Sequence, residues 1–269
     1  MKEKNNNRIL ELDLLRGIAV FLMIFDHFMY DLWGLLPSLF VDYPFGNPIA
    51  TNMYRFSIAY WNSTARIVIR YIVIFVFLAL TGICCHFSKS NLKRGFRLLI
   101  ASLLLSLVTF FVGWIMNDID IMVSFGILHA ISLSLLMVGL LEKFCKNKWV
   151  YLVLGVLMLG VGGYFEANAT IDSFKGNNFF LIVLKQMVGM SFAGSDSFGL
   201  LSTAGQIFIG VFLGKLLYNE RKSVFNFKYS NNVVTFFGRN SLVVYLLHQI
   251  LIPVILVIAL LCFGFTLYS

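Results

Sequence analysis

Charge is scarce in this chain. Only 13% of its 269 residues are Asp, Glu, Lys or Arg, while 59% are hydrophobic and the mean hydropathy is +0.85, values outside the range of soluble domains. Water is therefore excluded as the main solvent. Cysteine is also scarce: Cys84 and Cys85 are adjacent, Cys145 and Cys262 lie far away, and no disulfide framework follows. Cys84, Cys85 and His86 have metal-ligating chemistry, yet neighbouring helical positions point about 100° apart and do not converge on one ion. No metal is expected. Internal repeats are missing, and the four prolines do not break a pair of helices in matching halves, which argues against a repeat-built transporter. A small-x-small cleavage site is missing too. The basic N-terminus before Gly17 to Phe25 is thus not expected to be a cleaved leader, because Asp26, His27 and Asp31 interrupt its apolar region.

What charge there is has a pattern. The formal net charge of +8 would suit nucleic acid, but no basic stripe with interleaved aromatics exists, and the cations gather in short connections between apolar runs. A bilayer core about 30 Å thick needs roughly 20 apolar residues per helical crossing. Runs of that kind occupy 14 to 33, 67 to 87, 97 to 116, 121 to 141, 149 to 165, 198 to 217 and 241 to 264. They predict an all-α polytopic membrane protein of about seven transmembrane helices, folded as one domain over 1–269. The segment 177 to 190 is apolar but short and contains Lys185, so it reads as an interfacial or re-entrant helix, with an eighth crossing as the alternative. Alternate connections are basic: Lys2, Lys4, Arg8 and Arg16; Lys89, Lys93, Arg94 and Arg97; Lys143, Lys146 and Lys148; Lys215, Arg221, Lys222, Lys228 and Arg239. The positive-inside rule then expects a cytoplasmic N-terminus and an external C-terminus, in a plasma membrane. Gly210 and Gly214, and Gly155, Gly160, Gly162 and Gly163, are expected to permit close helix packing.

Function must come from ionisable residues inside the spans, where they are costly and usually face a cavity or a partner. The first span carries Asp13, Arg16, Asp26, His27 and Asp31. Arg16 and His27 are 11 residues apart, or about 1100° of rotation and about 16 Å of rise, so they share a face at two depths. Asp31, four residues beyond His27, can accept an imidazole N–H, which gives a general-base arrangement. The bland readings are that Arg16 anchors the inner interface and that Asp26 pairs with a neighbouring span. His129, about eight residues into the fourth span, and His248, about seven into the last, extend the set; a structural hydrogen bond is the competing role for each.

The run from Arg8 to Val20 followed by His27-Phe28-Met29-Tyr30-Asp31-Leu32 resembles the opening helix of bacterial proteins related to heparan-α-glucosaminide N-acetyltransferase. Phe77 to Ile83, Phe125 to Ala130, Ser195 to Phe198 and Gly238 to Gln249 resemble the same group in the same order. The spacing of Arg16 and His27 is also similar to the arginine–histidine signature of membrane acyltransferases that acetylate surface glycans. This resemblance implies transfer of an acetyl group from cytoplasmic acetyl-CoA to an amino sugar or glycan on the outer side. It implies Arg16, Arg239, Asn240 and His248 around the donor, His27 as base or acetyl carrier, Asp31 as its orienter, and His129 as a second proton carrier or oxyanion donor. The chain departs from the lysosomal relative, whose functional histidine falls in the loop after the first helix; here 34 to 66 contains none. A proton-coupled transporter or flippase is the rival from another class, and a non-catalytic partner of an envelope complex is the third. Association with further copies of the chain is left open.

Overall fold

A computed structural model describes residues 8–220, 222–225 and 230–268. Lys2, Lys4, Arg221 and Lys228 of the basic connections lie outside the described residues. The fold is helical. In chain order it contains α1 (Leu10–Tyr30), α2 (Leu36–Leu39), α3 (Pro48–Trp61), α4 (Thr64–Ile83), α5 (Asn91–Ile115), α6 (Ile127–Phe144), α7 (Lys148–Ala167), α8 (Phe179–Val188), α9 (Leu200–Leu217), α10 (Val233–Arg239) and α11 (Ser241–Cys262). The only sheet among the described residues is the parallel pairing of β1 (Thr170–Ile171) with β2 (Ser191–Phe192).

Six of these helices, α4, α5, α6, α7, α9 and α11, are long and apolar enough to cross a membrane. Their lipid-compatible faces are rich in exposed Leu, Ile, Val and Phe, as expected where hydrocarbon replaces water. With 21 residues α1 also has the length, although Glu11, Asp13, Arg16 and Asp26 make it the most polar of the set. Counting it gives the seven crossings expected, and the chain is a multi-pass membrane protein. The ten residues of α8 rise only about 15 Å, half of a bilayer core. Asn178 caps its start by accepting from Leu181 N–H, and Gly189 ends it in the left-handed region at φ 92°.

Two compact units are distinguished by their internal packing, one comprising Met1–Phe77 with Phe225–Ser269, the other Leu78–Val224. In the first unit α1 packs along α10, and α11 and α3 flank it. The α1–α10 contact is backbone against backbone: a Cβ on Gly17 would overlap the carbonyl oxygen of Val234, and one on Gly238 would overlap that of Asp13. Two motif stretches more than 200 residues apart in sequence, around Arg16-Gly17 and Gly238-Arg239, thus interlock. Beyond α1 the helix widens into a π-helical turn, Asp31–Leu35, a distortion that often marks functional positions. Met29, Leu32, Leu36, Phe40 and Tyr43 then close over Leu260 and Phe265 as a buried cluster.

In the second unit α9 is the centre, packed by α7 and α6. Gly82 and Gly210 bring α4 and α9 into backbone contact, since a side chain at either would overlap the other helix's carbonyls at Ile207 or Ala79. Gly155 and Gly162 do the same for α7 against Gly205 and Ser202. Gly160 and Gly163 do not: a Cβ there meets nothing within 4 Å, so only half of the α7 glycines serve packing. The connections are stitched by polar bonds. Asp196 accepts from Ile127 N–H at the start of α6 at 2.9 Å, where a carboxylate also meets the positive helix end. Glu166 accepts from Ser202 Oγ in the first turn of α9. Asp120 takes Ser173 Oγ and Phe174 N–H, and Gln186 joins Ser124, Ala193 and Ser197. Asp172, bonded by the Ser191 hydroxyl and by Lys185, is held below the usual carboxylate range.

Gly238→Ala is expected to lower stability by roughly 1–3 kcal/mol, because the α1–α10 backbones must separate to admit a methyl group. Gly160→Ala, facing open space, should leave the thermal midpoint of the purified protein unchanged or slightly raised. Equal midpoints for the two variants would contradict the backbone contact.

Candidate active site

The first unit holds most of the expected polar residues, and most of them have a definite partner. Arg16 lies 3.7 Å from Asp13, and Arg8 lies 3.6 Å from the same carboxylate. Arg239, at the end of α10, donates from Nη1 to Asn231 at 2.9 Å. Asn240 joins α10 to α11 and donates to the carbonyl of Phe236. Because Gly17 and Gly238 touch the facing backbones, Arg16 and Arg239 both sit beside the α1–α10 contact.

Deeper along α1, His27 Nδ1 lies 2.8 Å from the carbonyl of Met23. A carbonyl only accepts, so Nδ1 carries the hydrogen and the neutral ring keeps its lone pair on Nε2. His248 on α11 repeats the arrangement, with Nδ1 2.6 Å from the carbonyl of Tyr245 and a buried Nε2 that has no hydrogen-bond partner. The two imidazoles meet edge to face, ring centroids 4.8 Å apart at 83°. The fold therefore brings together two histidines separated by most of the chain, each with its tautomer fixed by helix backbone.

Asp31 does not orient His27, since the Met23 carbonyl has that part and no hydrogen bond or ion pair joins the two side chains among the described residues. Asp31 is instead a buried residue, 7% exposed, at the start of the π-helical turn. His129 belongs to the other unit. It stands in the first turn of α6 rather than eight residues deep, because the stretch from 119 to 126 forms a 3-10 turn and an extended loop before the helix starts at Ile127. Its ring is fully used. Gly126 N–H donates to Nδ1 at 3.3 Å, so Nε2 carries the hydrogen and donates to Ser106 Oγ at 3.1 Å, whose own hydrogen goes to the Val123 carbonyl at 2.6 Å.

Asp26 pairs with a neighbouring helix, as the bland reading of the sequence expected, but the partner escaped notice. Arg66, in the first turn of α4, donates to both of its oxygens at 2.7 and 2.8 Å, a bidentate fork. Tyr60 adds a third bond at 3.0 Å, and its phenol is pushed up to about 12 by burial and by the Asp26 charge, so it stays a donor. The Arg66 guanidinium lies 3.7 Å from the centre of the Trp61 ring, which stacks on Trp33 at 5.3 Å. Arg66 was hidden because the apolar run starts at 67, one residue after it. A signal existed: Asp26 needed a cation within the bilayer, and Arg66 and Arg70 are the ones at the head of the next apolar run.

The profile of heparan-α-glucosaminide N-acetyltransferase, catalytic, matches residues 8–38 and 49–250. The chain belongs to that family. Neither a curated protein nor a solved structure matches it. Membership carries the general chemistry, a transmembrane acetyltransferase, and the matched stretches contain Arg16, His27, Asp31, His129, Arg239, Asn240 and His248.

Asp26→Asn is expected to destabilise the protein by about 1–3 kcal/mol, because Arg66 loses its countercharge in a mostly buried site. The double variant Asp26→Leu with Arg66→Met should recover a measurable part of that loss in thermal unfolding. If each single change is as mild as the double one, the pair is not coupled.

Proposed function

We propose that the protein acetylates an amino sugar or glycan outside the cell with acetyl-CoA taken from the cytoplasm. The observation that carries this reading is the bare Nε2 of His27, held as an acceptor by the Met23 carbonyl, within a chain of an acetyltransferase family. The distribution of Lys and Arg supports a cytoplasmic N-terminus and an external C-terminus in the plasma membrane. By that orientation Arg16, Arg239 and Asn240 lie toward the inner side, and their donors suit an anionic nucleotide.

His27 Nε2 takes the proton from the acceptor amine or hydroxyl as its nitrogen or oxygen bonds to the acetyl carbon. The carbon–sulfur bond then breaks, and the proton on His27 is available to the leaving thiolate. The alternative route, in which Nε2 itself accepts the acetyl group and passes it on, uses the same lone pair. His248 acts as a positioning residue, its ring set edge to face against His27. Asp31 stands one turn beyond His27, at the start of the π-helical turn, and takes no step in the transfer. His129, with both nitrogens occupied by protein, holds the start of α6 rather than moving protons.

Purified protein in lipid nanodiscs, given acetyl-labelled acetyl-CoA and hexosamine acceptors, is expected to produce labelled sugar. His27→Ala should fold and insert normally while transfer falls about 10²–10⁴-fold, the range of a general base. Normal transfer by that variant would remove His27 from the mechanism, and substrate counterflow without acetylation would favour a carrier. His248→Phe keeps an aromatic edge against His27 but has no nitrogen. It should retain donor affinity and shift the pH dependence of transfer, a change that a purely structural ring would not cause.

A further inference from the structure

The unit Leu78–Val224 contains a basic feature that the transfer chemistry leaves unused. A cleft of about 390 Å³ is lined by His86, Lys146, Lys148, Lys215, Leu216 and Asn219. These residues come from four places: the turn after α4, the α6–α7 connection, the first residue of α7, and the last turn of α9 with the residues after it. Four of the six lining residues are basic and none is acidic. Loop lysines on the cytoplasmic side are explained by the positive-inside rule. Their convergence with Lys215 is not, because that residue belongs to α9 rather than to a loop and is partly buried.

Lys215 Nζ rests 4.0 Å from the centre of the Tyr151 ring, which fixes the ammonium from one side without using any of its N–H donors. Among the described residues Lys146, Lys148 and Lys215 take part in no ion pair. The carboxylate that acts on Lys215 is Glu142, which itself accepts from Asn91 Nδ2 at 2.8 Å. Helix ends do not decide the sign of the cleft, since α7 begins there and α9 ends there with opposed dipoles. The side chains decide it, and they leave three like charges around an open cleft.

We propose that this cleft binds a phosphate group. Like charges gathered around a cavity repel each other until an anion with several acceptor oxygens sits among them, and phosphate has that form. The volume equals roughly a dozen waters at about 30 Å³ each, enough for a phosphate with its attached sugar or glycerol. Two sources have this chemistry on the inner face: the phosphorylated nucleotide end of CoA, and the head group of an anionic phospholipid. The nucleotide source rests on the acetyl-CoA reading above, whereas the lipid source does not depend on it.

The test uses the full chain in neutral phosphatidylcholine nanodiscs and compares it with Lys146→Gln/Lys148→Gln/Lys215→Gln. A control, Lys89→Gln/Lys93→Gln, removes two nearby exposed charges that do not line the cleft. Binding of CoA and of dephospho-CoA is measured by calorimetry. Retention of phosphatidylglycerol is measured by mass spectrometry of the intact complex. A tenfold or greater loss of CoA affinity in the triple variant, smaller for dephospho-CoA and absent in the control, supports the nucleotide source. Unchanged CoA binding with loss of retained phosphatidylglycerol supports the lipid source. Unchanged binding of both probes, or equal losses in the control, overturns the proposal. Should the triple variant fail to fold, Lys146→Gln and Lys148→Gln, both at the α6–α7 connection, are measured singly against the same criteria.

Discussion

The arrangement of the first unit depends on one constraint, that α1 and α10 touch through their backbones. Gly17 and Gly238 each meet a carbonyl of the facing helix with no room for a side chain. Helix association in lipid lacks a hydrophobic driving force, so such close approach supplies the van der Waals contact that holds the pair. From it follow the placement of Arg16 and Arg239 beside the same seam and the course of α11, which leaves α10 at Asn240 and carries His248 back to His27. The second unit uses the same device at Gly82 and Gly210. Its polar connections then satisfy themselves internally, with carboxylates set at the starts of α6 and α9.

Much of the fold was legible because hydropathy reports the solvent directly. The apolar runs predicted α7, α9 and α11 to within about two residues, while α5 starts at Asn91, ahead of its run, and α4 ends at Ile83, short of its run; α8 was read as short from its brief apolar segment. Boundaries failed where polar residues are satisfied by distant partners. The run beginning at 121 is apolar in Ile121, Met122 and Val123, yet the helix waits until Ile127, because Thr109, Ser106, Gln186 and Asp196 bond the intervening backbone and side chains. Local sequence contains no trace of those partners.

The polar residues within the helices were legible as candidates, and their pairings were not. Helical spacing placed Arg16 and His27 on α1, with Asp31 opening the π-helical turn that continues it, but periodicity describes faces and not contacts. It favoured a carboxylate as the partner of His27, where the nearer acceptor was a carbonyl of the preceding turn. The meeting of His27 with His248, and of Asp26 with Arg66, depends on tertiary packing between elements remote in the chain. His129 resembled the other intramembrane histidines in sequence and differs from them in chemistry, since Ser106 and Gly126 occupy both of its nitrogens.

The carbonyls that hold His27 and His248 come from Met23 and Tyr245, and it is their peptide groups that act, not their side chains. Every residue type has such a group. The choice of which ring nitrogen carries the hydrogen is therefore insulated from drift at positions 23 and 245: a lineage can exchange the side chains there for packing or lipid preference, and the proton stays where the helix puts it. A base oriented by a carboxylate has no such freedom, because its orienter can be lost in one mutation.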